Sequence, residues 1–442
     1  VSGEIPDMTV WEGTLVVDGD VTVPAGSTLV VAPGAVVKIL GRTTSISVAG
    51  ELHVLGTAAE PAIFTSVSDD AGAPLGEDAG TPHPGDWEQL RILDGGVAWV
   101  DHARIRWGGD KSQASNGGAV RVDTGGRLCL SNSIIEDALH EGLLVWYAAQ
   151  ADVWNSVIRG CEWGVLSDQS AVLNMTNCTL DDNVVGVWGH RGIYNLTNTI
   201  ISHSVQAGVN QHLTSTITLR HCNVWSAQGV NYQGLPDLTG QDGNLSTDPV
   251  YRDYPSSLHL GFLSPMIDAA DGVAAPETDL YGLPRYDDPR TANTGTPTAT
   301  GAYADLGACE FVENAPSDVD LVVTDVSGPA AATVGEIITV TWTVRNDGMA
   351  AAGGPRRDWL RLARDGVTVD LGVVEVTQSL AAGGQAQATA EVRIPPCTPG
   401  EWHIQVQANA FRDIFEGRNS ANNRATSAQA VVLSAPLLAP GA

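Results

Sequence analysis

Apolar and polar positions along this chain recur at a long, nearly constant step. A glycine returns at Gly142, Gly164, Gly186, Gly208 and Gly229, with steps of 22, 22, 22 and 21, and each is followed by an aliphatic residue. A second column runs Asn132, Asn155, Asn177, Asn198 and His221, with apolar residues two or three positions on, as in SII, SVI, CTL, TII and CNV. Such a step accommodates three short strands and three bends. No stretch shows the period of an amphipathic helix, and the fixed leucine pattern of leucine-rich repeats is missing. The pattern predicts a parallel β-solenoid whose coils stack about 4.8 Å apart, with the five glycines in one column.

Upstream, TLVVDGDVTVPAGSTLVVAPGAVVKIL (14–40) and SISVAGELHVLGTAAEPAIFTSV (45–67) continue the short β-branched runs, cut by D-G, P-A-G and A-P-G turns. With PGDWEQLRI (84–92), GNLSTDPVYRD (243–253), LSPMIDAAD (263–271), DLYGLPR (279–285) and DLGACEF (305–311), the chain resembles right-handed parallel β-helix proteins of large bacterial surface polypeptides. That resemblance implies architecture over most of 14–311, and a solenoid domain of 1–312, but is nearly silent on activity. After a linker (313–317) the pattern changes. DLVVTDV, EIITVTWTVRN, DWLRLARDG, TAEVRIP, EWHIQVQAN and AVVL alternate apolar and polar residues, which predicts an immunoglobulin-like β-sandwich over 318–433, with a tail at 434–442. TWTVRNDG (341–348) and FRDIFEGRNSANNRA (411–425) resemble the bacterial adhesion-related domain called CARDB. The fold class expected is all-β.

Charge narrows the partners. A formal net charge of −28 argues against nucleic acid and anionic membranes, and is compatible with calcium or basic partners. The six cysteines are scattered without a C-x-x-C pair, so buried free thiols are expected, although Cys161 with Cys178 stays open as a disulfide. No run of 18 apolar residues exists and the first residues do not read as a signal peptide, so a secreted or surface protein in mature or trimmed form is expected.

Equal offsets from the repeat bring chemistry together. One column reads Trp146, Asp168, His190, His212, Gln233; another reads Glu136, Arg159, Asp181, Ser202, Trp225. Asp168, His190 and His212 on successive rungs suit either a metal or acid–base site, or simply solvated bends. Glu136, Arg159 and Asp181 read as a surface ion-pair ladder, or as a lyase-like groove in which Arg159 takes a proton beside acidic calcium ligands. The Asp181–Asp182 pair and the G-H-R turn at His190 echo the parts of polygalacturonase-like β-helices, but the third acid and the R-x-K segment are absent. They read as turn residues. Two loops are candidate calcium sites: Asp69, Asp70, Glu77, Asp78 and Asp86 in the insertion 68–87, and Asp413, Glu416, Asn422 and Asn423 in the sandwich. Among the solenoid tryptophans, Trp146 and Trp188 are expected to be exposed, and with His190 and His212 they are candidates to stack on sugar rings. The leading expectation is a non-catalytic module that binds an extracellular glycan or another surface component. A polysaccharide lyase or glycoside hydrolase, and a self-assembling structural subunit, are the alternatives.

Overall fold

Runs of three to five β-formers, cut by glycine or asparagine, are too short for helices and fit short strands. A computed structural model of the chain shows this. It describes residues 1–71, 80–110, 117–252, 254–312, 317–411, 413–414 and 416–435. The chain divides into two units, Val1–Phe311 and Val312–Ala442.

In the first unit, strands from Gly3–Glu4 to Val230–Gln233 form a parallel β-solenoid. Among the described residues it has three sheets, of ten, nine and nine strands. Each coil passes through the first sheet (for example Trp163–Ser167), the second (Val172–Thr176) and the third (Thr179–Asp181). Alternate residues of all three, such as Val165, Leu173 and Leu180, fill one core.

Register explains the glycine column. Leu143 faces Val165, Val165 faces Val187, and Val187 faces Val209, so Gly142, Gly164, Gly186 and Gly208 stack. A Cβ on Gly186 would lie 2.6 Å from Ile201 Cγ2 and 2.7 Å from the Gly208 carbonyl oxygen, which leaves no room for a side chain. The expectation for Gly229 is wrong: Val209 faces Tyr232, so Asn231 takes the place above Gly208 and Gly229 lies against Gln206. By the same slip Gln233 faces Asn210 and leaves the column of His212. The reason is local. Asn231 Oδ1 accepts from the Ser226 amide at 2.8 Å and its Nδ2 donates to Ser246 Oγ at 2.5 Å, tying the last coil to the chain that follows.

The asparagine column sits at the bend before the third sheet. Asn132, Asn155, Asn177 and Asn198 have φ of 48°, 48°, 50° and 53°, the left-handed region that asparagine tolerates. Asn155 Nδ2 donates to Asn132 Oδ1 at 3.1 Å, and Asn198 Nδ2 to Asn177 Oδ1 at 3.0 Å.

The coils do not continue to 312, as the sequence suggested. From Asn244 to Phe311 the described residues make isolated bridges instead of strands, and this closing segment runs back over the outer face of the third sheet. Ile200 packs with Met266, Ile267 and Leu306, and Val157 with Leu258, Leu280 and Cys309. The asparagines hold it in place: Asn177 Nδ2 donates to the Asp305 carbonyl at 2.9 Å, Asn198 Nδ2 to that of Asp271 at 3.0 Å, and Arg285 donates to Asn155 Oδ1 at 2.9 Å. All six cysteines are free thiols, four of them buried.

The second unit is a β-sandwich. One sheet joins Leu321–Ser327, Ile337–Asn346 and Gln385–Arg393, antiparallel throughout. The other is built around Arg356–Arg364, Val367–Val376 and Gly400–Gln407, with Ala331–Thr333, Arg424–Thr426 and Val431–Ser434 at its margins. Between them lie Trp342, Leu360, Leu362, Trp402 and Ile404.

Candidate functional site

The outward column of the first sheet reads Leu144, Leu166, Trp188, Asn210, because each is one position from an inward valine or leucine. Trp163, at the start of its strand, also points outward and stacks on Trp188, with ring centroids 4.7 Å apart and planes 14° apart. Trp188 in turn meets His212 at 5.4 Å, and His212 stacks on His190 at 5.5 Å with planes 8° apart. Four rings from three coils thus form one continuous strip, with Trp163, Trp188 and His190 partly exposed and His212 exposed.

A buried framework holds the strip. Asp168, whose side chain is fully enclosed, accepts from His190 Nδ1 at 2.8 Å, from Arg191 at 2.9 and 3.0 Å, and from the Gln169 amide at 2.7 Å. Burial works to raise its carboxyl, but the hydrogen bonds from Arg191 and His190 outweigh it and hold the group below the usual carboxylate range. Tyr194 braces the turn from inside. Its hydroxyl accepts from the Ser167 and His190 amides and lies 2.6 Å from the carbonyls of both Ser167 and Trp188.

This arrangement can present flat apolar surfaces and imidazole edges, but it is poorly suited to acid catalysis. A general acid needs a carboxyl with a raised pKa, whereas Asp168 is held ionised and both its oxygens are occupied by Arg191. Nor do the histidines form a metal site with it. Parallel rings at 5.5 Å aim their in-plane lone pairs side by side, without convergence.

Trp188, His190 and His212 are thus brought together as expected. Trp146 is not with them: it is partly buried and packs on Tyr147 at 5.4 Å. The expectation that Trp146 and Trp188 are the exposed pair is also corrected. The most exposed tryptophan of the solenoid is Trp99, stacked on His53 at 4.6 Å. Trp163 was missed, although its place just before a repeat glycine is a usable signal.

The other column is in register as read, with Glu136, Arg159, Asp181, Ser202 and Trp225 on successive strands, yet it is not an ion-pair ladder. Glu136 binds Arg104 at 2.5 Å, and Arg159 donates to the Pro255 carbonyl at 3.3 Å. Asp181 ends its strand fully buried, accepting from Ser202 Oγ at 2.7 Å and His203 Nδ1 at 2.8 Å. Asp182 follows it exposed, with φ 52°. Partial loss of solvent around its carboxyl, and then the charge of Asp181, raises its pKa even so. His203 was missed because the left-handed bend displaces it one position from the column. It stacks on Tyr254 at 4.0 Å, so this cluster fastens the closing segment.

The calcium candidates are engaged elsewhere. Asp69 is buried and binds Arg106, Thr65 and Trp107; Asp86 accepts from Ser66 and the His83 amide; Asp70 is exposed. Glu77 and Asp78 lie outside the described residues. In the sandwich Asp413 is gripped by Arg357, and Asn422 donates to Asp320. Glu416 accepts from Asn409, Asn423 and the Leu321 amide, so N–H donors already fill both of its oxygens.

Residues 94–240 match the family model described as a right handed beta helix region, and 318–427 match the CARDB model. Among solved structures, the CARDB domain of a Pyrococcus furiosus protein, in complex with di-metal ions, is 21% identical. The match covers 27% of this chain and 91% of that one, with a TM-score of 0.20. The Pseudomonas fluorescens alkylpurine DNA glycosylase bound to DNA containing an abasic site analog is 20% identical, covering 28% and 32%, with a TM-score of 0.19. A Listeria innocua β-glucosidase in complex with isofagomine is 13% identical, covering 35% and 19%, with a TM-score of 0.21. Likenesses at this level bear on neither ligand nor activity. No curated protein matches. A β-helix region and a CARDB domain together fit an extracellular module, and among the described residues no helix is long and apolar enough to cross a membrane.

Proposed function

We propose that this chain, a right-handed parallel β-helix carrying a CARDB domain, is a non-catalytic secreted or cell-surface module that binds a glycan along the first sheet of its solenoid. One observation carries the reading: the strip Trp163–Trp188–His212–His190, whose rings run across three coils and stay partly in water. Sugar C–H faces are apolar and stack on indole, while imidazole nitrogens offer hydrogen bonds to hydroxyls. Fixed by the coil spacing and by Tyr194, the strip is ordered before a ligand arrives, so little entropy is lost on binding.

A glycan panel scored for both binding and cleavage, with and without calcium, tests this. Trp188→Ala is expected to weaken the best ligand about tenfold, roughly 1.4 kcal/mol, while Asp182→Ala leaves binding intact. Turnover of any polymer that disappears in Asp182→Ala or His190→Ala would replace the binding module with an enzyme.

A further inference from the structure

We propose that the C-terminal domain carries a second, separate site, on the outward face of strands Arg356–Arg364, Gly400–Gln407 and Arg424–Thr426, for an acidic polysaccharide whose sugars bear carboxylate or sulfate groups. Register places the parts. Trp359 faces Gln407, and Gln407 faces Arg424, so one outward row crosses three strands; Arg361 stands one outward position further along.

Two guanidinium groups meet in that row. Arg361 Nη2 and Arg424 Nη2 both donate to the same neutral oxygen, Gln407 Oε1, at 2.9 and 2.8 Å. Two arginines at the start of the same strand have taken carboxylates: Arg357 holds Asp413 at 2.6 Å, and Arg356 holds Asp358 at 3.1 Å. Among the described residues Arg361 and Arg424 have not, in a chain with 28 excess negative charges. Arg361 Nε is moreover buried without a hydrogen-bond partner among the described residues. Burial, then the charge of Arg424, lowers the Arg361 pKa, against a weaker opposite pull from Asp370 across the strand pair. An unneutralised pair of planar cations with free donors fits an oxyanion gripped in a fork.

Rings continue the row and favour sugar over other polyanions. The Arg361 guanidinium lies 3.8 Å over Trp359, Trp359 is 6.4 Å from Phe411, and Arg357 lies 4.4 Å over Phe411, which is 44% exposed. A polymer along this row sets apolar sugar faces on Phe411 and the Trp359 edge, and its charged substituents on Arg361 and Arg424. The row belongs to the other unit from the solenoid strip, so either site can fail without the other.

Calorimetric titration of the full chain with polygalacturonate, dextran sulfate and neutral dextran of matched length tests the proposal. Both acidic polymers are expected to bind at least about tenfold tighter than dextran, with affinity falling as salt rises. Arg361→Gln with Arg424→Gln is expected to remove that preference, and Trp188→Ala to leave it. Arg424→Gln alone, at an exposed position on a three-residue strand, serves if the double variant unfolds early. Equal binding of dextran, or an acidic preference that survives the arginine changes in a folded variant, overturns the site. Tighter binding of duplex DNA than of either polysaccharide does the same. So does self-association that the arginine changes abolish, which would assign the pair to a second copy of the chain.

Discussion

On the third sheet the outward column Ile134, Val157, Thr179, Ile200 is met by the closing segment, which lays Leu258, Met266, Leu280 and Leu306 against it. On the first sheet the outward residues Leu144 and Leu166 are themselves buried, and the column then reaches Trp188, which with Trp163 and His190 keeps part of its surface in water. Both faces begin as apolar columns repeated coil after coil. What separates them is the closing segment. Third-sheet runs such as SII, SVI and TII are apolar at both parities, as strands covered on both faces are, whereas the outward row of the first sheet reaches water at its rings, Trp163, Trp188 and His190. The apolar excess of the third sheet is therefore enclosed, whereas on the first sheet the ring surface remains partly exposed.

The comparison breaks most completely if charge is put on the covered side. Ile200→Asp buries a carboxylate against Met266 and Leu306, and is expected to lower stability by more than about 3 kcal/mol in denaturant unfolding, whereas Trp188→Ala changes it far less. Similar losses from the two would mean the faces are alike. A smaller loss, about 1–3 kcal/mol, is expected for Gly186→Ala, because its Cβ meets Ile201 and the Gly208 carbonyl. Gly229→Ala is a check on the slipped register; its added carbon would meet the Gln206 and Ser204 backbone, not the next coil's glycine.

A further effect is expected from pH on the covered side. Burial first, and then Asp287, Glu310 and Asp288, push the Asp268 carboxyl up to about 7, against one N–H from Asp288. The enclosed Asp305 and Glu310 move the same way for the same reason, with Arg285 on Glu310 and Arg290 on Asp288 as the neighbouring cations. The folded state thus keeps a proton on Asp268 that the unfolded chain has released. Its contribution is complete below the ordinary carboxylate range and is lost as pH rises through about 7. Melting temperatures measured from pH 5 to 8 should fall, and Asp268→Asn should flatten the slope. An unchanged slope in that variant would place the linkage elsewhere.

How much of this was legible follows from how local each feature is. The coils, the glycine column to Gly208 and the meeting of Asp168 with His190 come from periodicity, and a single step of 22 predicts them. The closing segment has no period. Its bonds join residues as distant as Arg285 and Asn155, or Asp305 and Asn177, and only the folded chain reveals them. His203 and Trp163 lay one position outside the columns, displaced by a left-handed bend and a strand start. Among the calcium candidates, Asp69, Asp413 and Glu416 each take separate protein donors, which the sequence clusters do not reveal.

The asparagine column has one further consequence. Coils that differ by whole repeats are interchangeable as far as the core is concerned, so a solenoid of this kind could in principle gain or lose one by duplication or excision. Here Asn198, Asn155 and Asn177 hold Asp271, Thr278 and Asp305 in turn, so the closing segment crosses these coils and doubles back to the middle one. Removing the coil of Asn177 would leave the Asp305 carbonyl without its donor and bring the partners of Thr278 and Asp271 one coil closer together. The spacing of the coils from Asn155 to Asn198 is therefore tied to the fold of the segment that closes them.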